Sequence, residues 1–249
     1  MKRSSDSRKL DKAFRTVGID GCKGGWIAAE MICGKLDLLR AGSLSEIVEM
    51  LSFDSCIIDM IIGLQEEMSD VRPENEARKE LGRRASTIFP APCRQAVYGA
   101  DQGERLAANE RVLGKKFTSQ TNAIIPKIRE VDEFFQSHAK WKNRILESHP
   151  EVCFERLTGK VLSTSKHDFK GIGERADILH EYCQDISAAW IAEQAEKLKC
   201  NEDDIADAVC LSIVANLHAQ HKTETIPEQP MKDKTGLLMQ MIVPKIMEQ

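Results

Sequence analysis

Residues 17–30 read VGIDGCKGGWIAAE. An apolar run ends in one carboxylate, Asp20, and breaks into a glycine-rich turn before apolar residues resume at Trp26. This pattern predicts two strands joined by a tight turn, and KLDLLRA, after a second turn at Gly34-Lys35, predicts a third. In the next segment, SLSEIVEML, Ser43 stands in N-cap position with Glu46 three residues on, and the apolar residues fall at helical spacing. SCIIDMIIGL then forms a continuous apolar run, as expected of a strand covered on both faces, with Asp59 inside it. The opening is therefore β-β-β-α-β, with one carboxylate on its first strand and another on its fourth.

Residues 64–142 are charged and broken by PENEARKELGRRASTIFPAPCR, which predicts a largely helical insertion. Within it, TSQTNAIIPKIREVDEFFQ places Ile124, Ile128, Val131 and Phe135 on one helical face, and Pro126 is expected to bend that helix or mark its start. NRILESHPE predicts a short strand ending at Glu147. Two or three helices then lead to NEDDIADAVCLSIVANLHA, a strongly apolar helix whose acidic first turn suits the helix dipole. The late GLLMQMIVP fits either an extra strand of the sheet or a contact in a homo-oligomer. The expected fold class is α/β: three antiparallel strands followed by parallel strands in one mixed sheet, flanked by helices, in a single domain over residues 16–249.

At 249 residues and 42% hydrophobic content, the chain can bury a substantial core. Residues 1–15 carry six Lys or Arg against two Asp and are expected to form a disordered, solvated basic tail. No apolar run approaches the ~20 residues of a membrane span, and the N-terminus lacks a signal-like apolar stretch, so the expectation is a cytoplasmic protein with no membrane partner. The eight cysteines form no CxxC pair and several sit in apolar runs, which points to reduced thiols rather than disulfides or a zinc site. A net charge of −4 gives no global attraction to nucleic acid, so such binding would use a local basic patch.

Each carboxylate alone has an ordinary explanation. Asp20 and Glu147 could serve turns at strand ends, and Asp204 and Asp207, three apart on one helix face, could serve capping and the helix dipole. Asp59 is harder to explain in this way, because a charge inside an apolar strand needs a partner, a network or a metal. Taken together, the five fall at strand ends and at the start of a helix, positions that converge in a sheet protein. Carboxylates brought together repel and raise one another's pKa values unless cations neutralise them. An all-oxygen set suits Mg²⁺ or Mn²⁺, and two such ions ~4 Å apart can activate water and stabilise the leaving oxygen in phosphodiester cleavage.

The opening topology, the acids on its first and fourth strands and the DxxD helix resemble the RNase H-like fold in the arrangement of RuvC-type junction resolvases. More closely, VGIDGCKGGWIAA, IIDMIIGL, ARKELGRRASTIFPAPCR, TSQTNAIIPKIREVD, ESHPEVCFERLTGK, SKHDFKGIGER, DDIADA and DKTGLLMQMIV resemble, in order, the motifs of a family of predicted nucleases catalogued as a domain of unknown function. The resemblance spans about residues 16–244 and implies that Asp20, Asp59, Glu147, Asp204 and Asp207 form the catalytic metal site, with Glu147 as an additional ligand or a water-orienting base. It also implies phosphate contacts for Arg94, Gln120, Lys127 and Lys166, with salt bridges to the same acids as the alternative. Glu130, Asp132, His149 and Glu151 lie in matching motifs without a separate role.

The leading expectation is a metal-dependent nuclease. The competing classes are a phosphotransferase or ATPase of the actin-like group, which shares the strand-hairpin topology but normally duplicates its core, and a non-catalytic binding module. The chain has no GxSxG, HExxH, GxGxxG or GxxxxGK[ST] motif to suggest another chemistry.

Overall fold

The opening segment forms strands β1 (Arg15–Cys22), β2 (Gly25–Ile32) and β3 (Lys35–Ala41), helix α1 (Leu44–Met50) and strand β4 (Ser55–Ile58) in a computed structural model that describes residues 14–166 and 168–246. The first thirteen residues of the expected basic tail lie outside the described residues, and Arg15 already belongs to β1. Ser43 caps α1 as its sequence predicts, its side chain accepting from Glu46 N at 3.2 Å.

The middle of the chain is helical: α2 (Glu74–Leu81), α3 (Arg94–Val97), α4 (Gln102–Leu113) and α5 (Ser119–Ser137) precede β5 (Ile145–Glu147). Thr118 caps α5 by accepting from Thr121 N, so Pro126 lies inside this helix and not at its start. There follow α6 (Pro150–Thr158), α7 (Phe169–His180), α8 (Ala188–Leu198), α9 (Glu202–Ala219) and the hairpin strands β6 (Thr223–Lys232) and β7 (Leu238–Pro244).

Five strands make a mixed sheet in the order β3-β2-β1-β4-β5, with β1, β2 and β3 antiparallel and β1, β4 and β5 parallel. Side chains alternate across it. Val17, Ile19, Cys56, Ile58 and Ile145 face α1 and α5, where they pack with Leu44, Ile47, Ile128 and Phe135. Ile27, Ala29 and Ile57 face α9 and the helices beside it. The result is helix, sheet, helix. Part of the expected insertion, α5, is thus itself a covering layer of the core.

GLLMQMIVP forms β7, but it pairs with β6 in a separate two-stranded sheet and does not extend the main one. β6 is hard to read in sequence because TETIPEQPMK carries two prolines and its pairing register breaks between Ile226 and Met231, so no clean alternation survives.

The approach of α9 to β1 sets the geometry of everything above the strand ends. A Cβ added at Gly18 would stand 2.1 Å from both Ala208 O and Ser212 N, so the helix backbone rests directly on the strand. Thr16 Oγ1 also donates to Ser212 O at 3.3 Å. Only glycine permits this contact, which holds the first turns of α9 over the end of β1. Among the described residues no helix is long and apolar enough to cross a membrane.

Candidate active site

In the parallel register, Ile19 lies beside Ile58, and Ile58 beside Glu147. The next residues, Asp20, Asp59 and Ser148, stand at three neighbouring strand ends, tied by Asp59 N to Ile19 O at 2.9 Å and Ser148 N to Ile58 O at 3.0 Å. Alternation sends Asp20 and Asp59 toward α9, the face that Ile57 also takes. From above, α9 contributes Asp204 and Asp207. These four carboxylates line one cavity of about 400 Å³.

Their surroundings are electrostatically tense. Burial raises the Asp20 carboxyl well above its ordinary range, and Asp59 and Asp207 push it further while Lys166 opposes. Asp59 is raised by burial and by Asp207, with His149 opposing. Asp204 is raised by burial, although its Oδ2 accepts from Asn201 N at 2.9 Å in a capping box that turns it back onto its own helix. Asp207 is only 1% exposed; its Oδ2 lies 2.7 Å from Lys166 Nζ, and its buried Oδ1 has no hydrogen-bond partner. A buried acceptor without a donor calls for an explanation, which a bound water or ion would supply.

A pH dependence follows from Asp20. Its carboxyl binds a proton more tightly folded than unfolded, so between the ordinary value of 3.8 and the raised folded value the native state holds more protons. The metal-free protein should therefore lose stability as pH rises from about 4 toward neutrality. Urea titrations across that range should show the slope, and Asp20→Asn should flatten it; an unchanged slope in the variant would remove Asp20 as its source.

Two further cations stand in the wall. Lys127, from α5, reaches across Gly21, donates from Nζ to Gly25 O and sits 4.1 Å above the centroid of the Trp26 ring. Burial lowers its pKa, with Glu130 opposing. Arg84 pairs with Glu151 at 3.0 Å, and the fully buried Arg175 holds the other oxygen of the same carboxylate. Sequence reading assigned no role to Arg84 or Arg175, although both lie in the matching motifs ARKELGRRAS and GIGER. His149 is in the same wall, with its Nδ1 buried and without a partner.

Three of the expected site residues are placed differently. Glu147 touches the cavity, but its parity along β5 sends its carboxylate toward the α5 face, where Arg72 Nη2 binds it at 2.7 Å and Ile62 N donates at 2.7 Å. Burial pushes this carboxyl up while Arg72 pulls it back. It is the anchor of a buried pair, and Arg72 also holds Glu74 at 2.8 Å. Arg72→Met should therefore cost about 3–5 kcal/mol in urea denaturation, because it strands a buried carboxylate. A loss below about 1 kcal/mol would contradict that role.

Arg94 does not line the cavity. It joins Glu66, Asp132 and Asp233, tying α3 to α5 and to the loop between β6 and β7. Gln120 is exposed at the start of α5, where its Oε1 accepts from Ser119 Oγ, and it also lies outside the cavity wall.

Among the described residues, no three His, Cys, Asp or Glu side chains are placed to hold a metal ion as they stand. Asp204 caps its own helix, and Asp207 is bound to Lys166.

In comparisons with known proteins, residues 18–232 match the model of a family described as "Protein of unknown function (DUF429)". No curated protein and no solved structure matches.

Proposed function

The chain belongs to this family of unknown function, DUF429, and from the cavity itself we propose that it is a divalent-metal-dependent phosphodiesterase acting on nucleic acid. The observation that carries the reading is the meeting of Asp20, Asp59, Asp204 and Asp207 around one cavity, with Asp207 Oδ1 buried and unsatisfied. Such a set is costly without a cation. Its donors are all oxygen, which fits Mg²⁺ or Mn²⁺ once Asp204 releases Asn201 N. The mixed sheet, with three antiparallel strands followed by parallel ones, supports the same reading through its resemblance to an RNase H-like arrangement.

Asp20, Asp59 and Asp207 would hold the ion, and Asp204 would join them from the first turn of α9. When bound, the ion would supply an activated water and polarise a phosphoryl oxygen. The protein's own contribution is orientation and charge. Strand ends fix Asp20 and Asp59, while Lys127 and Arg84, which also line the cavity, would supply positive charge for a phosphate. Glu147, bound by Arg72, holds the strand end in place and is outside the proposed ligand set.

The test is cleavage of labelled single-stranded, duplex and branched DNA and RNA with Mg²⁺ or Mn²⁺, with chelator controls. Cleavage abolished by chelator is expected. Cleavage that persists in chelator, or none across the panel, would overturn the proposal, and hydrolysis of a nucleotide instead would favour the phosphotransferase or ATPase class.

A further inference from the structure

We propose that Phe89 is the platform on which this site stacks a nucleobase, so that the substrate enters the cavity as an unpaired nucleotide. The inference rests on the phosphodiesterase reading above and names the form of nucleic acid it requires.

The cavity is not acidic throughout. Ile61, Ile88, Phe89, Ile124 and Met241 line it together with the carboxylates. All but Phe89 have a place in the core: Ile61 and Ile124 pack on the cluster between the sheet and α5, and Ile88 and Met241 belong to the one shared by α2, α6 and the β6-β7 hairpin. Phe89 joins neither, nor any other hydrophobic cluster or ring contact among the described residues, and it is only partly buried. An aromatic side chain that lines a cavity and packs in no cluster has a face to offer a ligand.

The fold holds this residue in place. Its neighbours are fastened on both sides: Ile88 O accepts from Arg78 Nη1 at 2.6 Å, and Pro90 O accepts from Thr121 Oγ1 at 3.3 Å. Pro90 also confines the Phe89 backbone to extended conformations. The ring is presented from a braced segment between α2 and α3, so little order is lost on binding.

A nucleobase suits this position. It is uncharged, has two flat faces for stacking and carries hydrogen-bonding groups on its edge, and bases outside a duplex are held in this way against aromatic and apolar side chains. His149, in the same lining, has a buried Nδ1 without a partner, which can donate or accept according to its tautomer and so serve a base edge. The cavity, about 400 Å³, has the size of a small-ligand pocket, and the phosphate attached to the base has Lys127 and Arg84 in the same lining. A base within a duplex is stacked on both faces and has none free for Phe89.

Fluorescence anisotropy, with Ca²⁺ replacing Mg²⁺ to slow turnover, tests this with a labelled oligothymidylate, an abasic strand of the same length and charge, and a blunt duplex. The wild type is expected to bind the oligothymidylate about tenfold or more tighter than either of the others. Phe89→Ala should remove most of that preference and leave binding of the abasic strand unchanged, while Phe89→Trp should keep it. Equal binding of base-bearing and abasic strands, a duplex bound as tightly as the single strand, or a preference that survives Phe89→Ala would overturn the platform. So would Phe89→Ala weakening both strands alike, which a merely structural role predicts. In each of these cases, cleavage by the wild type with Mg²⁺ would leave the phosphodiesterase reading standing. Thermal shifts with thymidine 5′-monophosphate and deoxyribose 5-phosphate distinguish the source of the base: stabilisation by the nucleotide alone, with no strand bound, would keep the platform and overturn nucleic acid as the substrate. No binding of any strand or nucleotide would overturn both. The wild-type comparison needs no variant, so it decides even if Phe89→Ala fails to fold.

Discussion

Asp20→Asn will reduce metal-dependent cleavage by at least about a thousandfold and will raise the stability of the metal-free protein at neutral pH. The first effect follows from the size of the interaction removed. A metal stabilises charge in the transition state by several kcal/mol, and about 4 kcal/mol corresponds to a thousandfold in rate. The second follows from burial. Asp20 is only 7% exposed and is pressed by Asp59 and Asp207, so its ionised form is a net cost to the metal-free fold. Asparagine keeps the shape and removes the charge. Cleavage assays and thermal unfolding with and without Mn²⁺ read both effects in one variant. Loss of activity with a lower melting temperature would mean that Asp20 is a structural residue, and retained activity would remove it from the chemistry.

Gly18→Val will prevent stable folding, and Gly18→Ala will lower stability and weaken Mn²⁺ binding together. Ordinary overpacking costs about 1–3 kcal/mol because neighbouring side chains give way. At Gly18 the neighbours are the backbone atoms Ala208 O and Ser212 N, 2.1 Å from the added carbon, and neither can rotate aside. The helix must lift from the strand, and it carries Asp204 and Asp207 with it. Gly173→Ala is the control: it lies inside α7 with nothing within 4 Å of an added Cβ, so it should be neutral or stabilising by up to about 1 kcal/mol. Urea denaturation with parallel Mn²⁺ titration measures both, and a Gly18→Ala protein as stable as the Gly173→Ala control would contradict the close approach.

Local pattern made much of this legible. The turns at Gly24 and Gly34, the cap at Ser43 and the apolar run before Asp59 are features of a few neighbouring residues, and all lie in the β-β-β-α-β opening. Asp20, Asp59, Asp204 and Asp207 could be singled out for the same reason, since each stands at the edge of a recognisable strand or helix. Glu147 shows where such reading stops. A single step along β5 decides which face a side chain takes, and Ser148, not Glu147, continues the row of Asp20 and Asp59. Partners distant in sequence are equally hidden. Nothing near Arg94 announces Asp233, whereas the salt bridge of Lys166 to Asp207 is the alternative that its motif left open. A charged residue in a motif can face a ligand or fasten two segments, and only the fold distinguishes the two.

The seating of α9 on β1 also bears on when the cavity comes into being. Thr16 and Ser212 meet across 196 residues, and contacts of such separation carry a large loop-closure cost and form late. A chain emerging from the ribosome displays Asp20 and Asp59 early, at strand ends whose facing wall has not yet been synthesised. Asp204 and Asp207 arrive only with residues 202–219, and the pocket closes when that helix settles over Gly18. A nascent or truncated chain lacking those residues has half of the acidic set and no roof above it, so the fold withholds the site until α9 has been made.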